Sequence, residues 1–173
     1  MTPRWDEVRT MKTKRLAVMA MAVALAMILS YVESQIPAFV AIPGIKMGLP
    51  NILVVFVLYN LGWKDAIVIS LLRVLLVSVL FGSVLSLAYS IAGATVSFIG
   101  MLLMKKSGLF STVAVSVVGG VLHNAAQIGV ACLVMETNLI AYYLPFLVLS
   151  GTLAGIVIGL VSALTVKRVN IEI

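Results

Sequence analysis

Apolar runs of bilayer length follow one another along almost the whole of this chain, with only short polar breaks between them. A membrane span needs about 20 predominantly apolar residues. Six candidate spans can be read by hydropathy: Leu16 to Ile36, a short one from Gly48 to Leu61, Asp65 to Phe81, Val84 to Met104, Leu109 to Met135, and Ile140 to Val166. The breaks carry turn and loop residues. Pro37 to Met47 holds two prolines and Gly44, Gly82-Ser83 is a minimal turn, and Lys105-Lys106-Ser107-Gly108 and Glu136-Thr137-Asn138 are loops. The first span resembles the apolar core of a signal peptide behind a basic lead-in. It runs too long for one, and further spans follow it. The pattern predicts an all-α integral membrane bundle of six transmembrane helices. Its organisation would be a cytoplasmic N-terminal segment over 1–15, one transmembrane domain over 16–168 and a cytoplasmic tail over 169–173.

The charge supply agrees. Only 10% of the 173 residues are charged, against about 25% in soluble domains, too few to cover a water-facing surface. Net charge is +6, but the cations are clustered at the ends of the apolar runs rather than along a phosphate-tracking surface, so nucleic acid is not an expected partner. With the N-terminus in the cytoplasm, six spans put Arg4, Arg9, Lys12, Lys14, Arg15, Lys64, Lys105, Lys106, Lys167 and Arg168 on the cytoplasmic side. That is ten of the twelve cations, as the positive-inside rule requires, and an odd span count would place Lys167-Arg168 outside. The expected location is a cell membrane, with both termini cytoplasmic. The single cysteine, Cys132, excludes an internal disulfide and a multi-cysteine metal site.

Glu33, Lys46, Asn51, Arg73, His123, Asn124 and Gln127 remain at or near membrane depth once the topological cations are set aside. Each strongly polar side chain there costs about 2.5–3.5 kcal/mol on insertion scales unless it faces protein or water. They fall mostly in the outer half of the bundle. One externally open cavity, with Lys46 and Arg73 attracting an anionic group and the neutral side chains hydrogen-bonding the rest, accounts for all seven. Piecemeal readings stand beside it: Glu33 with Arg73 as a structural pair, His123 with Asn124 and Gln127 as interhelical hydrogen bonds, and Lys46 snorkelling to the headgroups.

Small residues give a second signal. In the first span Ala20 and Ala24, and Ala22 and Ala26, are four apart, a spacing that lets a partner helix approach closely. The partner could be a helix of this chain or a separate membrane subunit. Similar faces formed by Gly93, Ala94 and Ser97, and by Gly151, Gly155 and Gly159, suit internal packing. There is no phosphate-binding loop of the Gly-x-x-x-x-Gly-Lys-Ser/Thr kind, no His-Glu-x-x-His, no Cys-x-x-Cys and no Gly-x-Ser-x-Gly. The two aspartates, Asp6 and Asp65, cannot form the clustered set that magnesium-held diphosphates need. No catalytic residue, metal or cofactor is expected, and the chain is not expected to be an enzyme.

The segment Pro43-Gly44-Ile45-Lys46-Met47-Gly48-Leu49-Pro50-Asn51 resembles the Pro-Gly-Ile-Lys-x-Gly-x-x-Asn signature of the Gx transporter family, which also carries the label heptaprenyl diphosphate synthase component I. His123-Asn124-x-x-Gln127 after Gly119-Gly120, and Arg73, are similar to two further positions of that family. Pro50 departs from the small residue expected there. The family is similar to the substrate-binding S components of energy-coupling factor transporters. That resemblance implies a six-helix subunit that captures a vitamin-like ligand from outside. Pro37 to Met47 would be the gating loop. Docking on a transmembrane coupling subunit would use Ala20/Ala24 or Ala22/Ala26, with two cytoplasmic ATPases driving the cycle. Flavins, other phosphorylated or carboxylated vitamins and quinone precursors all suit a basic outer pocket. The competing expectation is a membrane enzyme or accessory subunit of prenyl diphosphate or quinone metabolism.

Overall fold

The computed structural model describes residues 5–35 and 48–169, and the side chains of 13–35, 48–80 and 82–169. These residues form six α-helices: α1 (Trp5–Gln35), α2 (Asn51–Asn60), α3 (Trp63–Phe81), α4 (Val84–Ser107), α5 (Thr112–Val134) and α6 (Leu144–Arg168). A short 3₁₀ turn, Leu139–Tyr143, leads into α6. The molecule is an all-α bundle, and four stretches (Thr13–Gln35, Val84–Ser107, Thr112–Val134 and Leu139–Arg168) are long and apolar enough to cross a membrane. α3, with 19 residues, is about 28 Å long at 1.5 Å per residue, and carries Lys64, Asp65 and Arg73.

Local chemistry sets the helix ends. Ser83 and Ser111 cap α4 and α5, each hydroxyl accepting the backbone N–H three residues on, from Ser86 and Ala114. Gly108 closes α4 in the left-handed region at φ 68°. Lys105 and Lys106 therefore belong to the last turn of α4 rather than to a loop, where they complement the helix dipole. α1 likewise extends back to Trp5, so residues 5–15 are helical and continuous with the first span.

α2 has ten residues, so it is about 15 Å long, half a bilayer's hydrocarbon core. Val54, Val55, Val57 and Leu58 are each at most 1% exposed. A short helix that is apolar all round belongs in the interior of a bundle. It packs on α1, α3 and α6. Its C-terminal carbonyls are met by α4: the Lys105 ammonium donates to the Leu58 carbonyl and lies over the Tyr59 ring at 4.8 Å. Arg15 of α1 donates twice to the Asp65 carboxylate at the start of α3, at 2.6 and 2.9 Å. These contacts gather the start of α1, the end of α2, the start of α3 and the end of α4 at one cationic end of the bundle. Val166, one residue before Lys167-Arg168, packs into the same apolar cluster as Ala66, Leu58 and Val115, which brings the end of α6 there as well.

The longer helices turn their polar residues inward. On α3 the buried positions are Asp65, Ala66, Ile69, Ser70, Arg73, Val74 and Val77, while Leu71, Leu72, Leu75, Leu76, Val79 and Leu80 are exposed. The same inversion holds on α5, where His123, Asn124 and Gln127 are on the buried stripe. An apolar exterior around a polar stripe is the arrangement lipid demands. α5 and α6 are in backbone contact: a Cβ added at Gly120 would lie 2.5 Å from the Gly151 carbonyl oxygen, and one at Gly155 would lie 2.6 Å from Val117 Cα. The glycine face of α6 is thus internal packing.

Candidate functional site

The site is assembled from one polar stripe on each of several helices. On α1, Ala22, Ala26, Ser30 and Glu33 are buried at helical spacing. The two alanines make the room, and the polar residues follow toward the end away from the cations. Ser30 donates to the Ala26 carbonyl at 2.8 Å, satisfying its hydroxyl inside its own helix. The Glu33 carboxylate accepts the backbone N–H of Gly48. Gly48 holds φ +86°, a left-handed conformation that glycine adopts without steric cost. It lies in the turn that starts α2, where Asn51 N–H donates to its carbonyl at 2.9 Å.

Ser30, Glu33 and Gly48 line one cavity with Arg73, Val74 and Val77 of α3, Ser90 of α4 and His123 of α5. Arg73 is within electrostatic reach of Glu33, and its Nε has no hydrogen-bond partner among the described residues. The His123 imidazole lies against Gly93 of α4, where an added Cβ would come within 2.8 Å of Cε1. Gly93 is therefore what lets the ring reach the cavity. The enclosed space is about that of one water molecule.

Of the seven expected site residues, the structure brings Glu33, Arg73 and His123 to this cavity. Asn51 is buried in the first turn of α2, with its amide 3.2 Å from where a Gly48 Cβ would be. Asn124 turns toward α6, and its Nδ2 donates to the Leu147 carbonyl at 2.9 Å. That is an interhelical bond rather than a cavity contact. Gln127 is fully buried one turn beyond His123, with neither amide atom partnered among the described residues. Lys46, and with it the segment Pro37 to Met47, lies outside the described residues. Because Glu33 shares the cavity with Arg73, the described lining carries one charge of each sign.

The two alanine pairs of α1 part company. Ala22 and Ala26 are 3% and 0% exposed, packed inside the chain, so they cannot be an open docking face. Ala20 and Ala24 are exposed. The helical rotation between the pairs makes the difference, since two residues on is about 200° around the axis.

A family model described as heptaprenyl diphosphate synthase component I matches residues 22–165. The chain belongs to this family. The matched range runs from the second half of α1 almost to the end of α6, so it takes in the cavity and both glycine faces. No curated protein and no solved structure matches the chain.

Sequence reading missed Ser30, Gly48 and Ser90 as cavity residues. Ser30 could have been found, since it is one turn on from Ala26 and one turn before Glu33. Ser90 has no such signal, because serines in apolar helices also bond back to their own backbone.

Proposed function

We propose that this chain is the substrate-binding membrane subunit of an energy-coupling factor type transporter, taking a small vitamin-like solute from the side opposite its cations. One observation carries the reading: three buried ionisable side chains, Glu33, Arg73 and His123, come from three helices to one cavity. Ionisable groups at membrane depth are costly, and they mark solute paths. The cavity borders the N-terminal turn of a half-length helix, the kind of helix end that meets polar solute groups at membrane depth in other carriers. The cationic end faces the cytoplasm of a cell membrane on this reading. A coupling subunit docks against the exposed Ala20/Ala24 face, and two cytoplasmic ATPases supply energy. The chain itself performs no chemistry. Solutes with a polar or anionic group on a compact body, such as flavins or quinone precursors, suit the site.

The family's description supports a second reading, an accessory subunit of a prenyl diphosphate synthase. One experiment separates the two. The tagged chain is purified in mild detergent from membranes of its native host, beside an A20L/A24L variant. Recovery of a coupling-type membrane protein with two ATPases, lost in the variant, is expected. Recovery of a soluble prenyl diphosphate synthase instead would install the second reading, and recovery of the chain alone would overturn the first.

A further inference from the structure

Along the α4–α5 seam, Ser97 faces Gly119 and Gly93 faces His123. The two helices run antiparallel in this register, so one turn further brings Tyr89 opposite Gln127. Ala131, another turn along α5, packs in one cluster with Tyr89. Tyr89 is 1% exposed and Gln127 is 0% exposed. The Tyr89 hydroxyl, both amide atoms of Gln127 and Asn124 Oδ1 have no hydrogen-bond partner among the described residues. Each unsatisfied buried polar group costs about 1–3 kcal/mol, and here Gln127 alone carries two such atoms, with Tyr89 opposite it by register and Asn124 one turn back on α5.

The chemistry of the unmet atoms restricts what can meet them. A cation would satisfy the oxygens and leave Gln127 Nε2 stranded. An anion would satisfy Nε2 and repel the oxygens. A primary amide presents an acceptor and a donor side by side, and the group that pairs with both at once carries a donor and an acceptor side by side in the opposite order. We propose that Gln127, with Tyr89 beside it, is the recognition subsite for the cyclic imide or lactam edge of the transported solute. This inference rests on the transport reading and names the class of solute. Gln127 is four residues beyond His123, about 6 Å along the helix. The cavity lined by His123 and Arg73 holds about one water, so a flat two-ring heterocycle places its imide edge at Gln127 and its body beside His123 only as the helices around that cavity separate.

The test is thermal stabilisation of the purified full chain in detergent by three probes that share the edge: uracil, lumazine and riboflavin. Each is paired with a derivative methylated on every ring nitrogen that offers this edge: 1,3-dimethyluracil, 1,3-dimethyllumazine and 3-methylriboflavin. At least one parent probe is expected to raise the Tm by several degrees, its methylated partner not at all. Gln127→Leu, nearly the same shape, should fold and lose the shift, and Gln127→Glu, which keeps acceptors only, should weaken it at least tenfold in probe concentration. Silence of all three probes, equal shifts from the methylated probes, or an undiminished shift in the Leu variant would overturn the proposal. In the first case a buried water would be what satisfies Gln127. The co-purification experiment is independent of these results. ATPases recovered with silent probes leave transport standing and remove the imide edge, whereas a synthase recovered in their place removes the transport reading itself.

Discussion

The Glu33 carboxylate of α1 accepts the backbone N–H of Gly48, so the last turns of one helix hold the first turn of the next. The same carboxylate faces Arg73 across the cavity. One side chain thus positions the start of α2 and offsets the charge of a buried guanidinium. Glu33→Ala removes both effects and leaves Arg73 buried without its counter-charge, a loss expected to cost about 3–5 kcal/mol. Glu33→Gln keeps an acceptor for Gly48 and should cost less. The double variant E33Q/R73M should cost less than the sum of its parts. Unfolding titrations in SDS read these three and the R73M single variant, and strict additivity would show that Glu33 and Arg73 do not interact.

The α5–α6 seam admits no added carbon. Gly120→Ala would put Cβ 2.5 Å from a backbone oxygen, and neither backbone can move without separating the helices. Overpacking of this kind costs about 1–3 kcal/mol. Gly129 on the same helix is exposed with nothing within 4 Å of its added Cβ. Gly129→Ala should be neutral or stabilising by up to about 1 kcal/mol, from helix propensity alone. A matched pair of melting curves checks the contrast.

The alanines of α1 make a similar pair. A22L/A26L forces two large side chains into a packed interior and should prevent folding or lower the Tm steeply. A20L/A24L places the same bulk on an exposed face and should leave the melting curve of the isolated chain unchanged. Its effect should be confined to what co-purifies. A large Tm loss in A20L/A24L would make that face internal packing too.

Orientation is open to direct labelling, because Cys132 is the only cysteine. In a C132S background, K106C should react with an impermeant maleimide only from the cytoplasmic side, and E136C only from the outside. The reverse pattern would invert the bundle and put the cavity on the cytoplasmic face.

Much of this architecture was legible because lipid makes simple demands. Apolar runs and cation clusters located the helices, and the inward rule of membrane burial picked out Glu33, Arg73 and His123 before any contact was known. Two kinds of information were not in the pattern. Hydropathy does not distinguish a short span from a buried half-helix, so α2, though short, read as a span until Val54 to Leu58 were seen buried. Spacing alone also cannot give the rotation of a helix, which is why Ala20/Ala24 and Ala22/Ala26 looked equivalent. Asn124 follows the interhelical reading rather than the cavity one for a related reason. It adjoins His123 in sequence, and the turn of α5 aims it at α6 instead.

The glycine seam also bears on how the molecule can move. Helices that touch backbone to backbone have no side-chain layer to slide on, so α5 and α6 behave mechanically as one strut, and α4, seated on α5 through Gly93 and Gly119, is braced against it. The opposite wall of the cavity is held differently: α1 packs on α2 and α3 through side chains, Ala22 among them, and adds the Arg15–Asp65 pair and the bond between Glu33 and the turn before α2. A wall held by side-chain packing yields more readily than one in backbone contact. On the transport reading, admission of a solute is the work of α1 to α3, with the strut as the anvil.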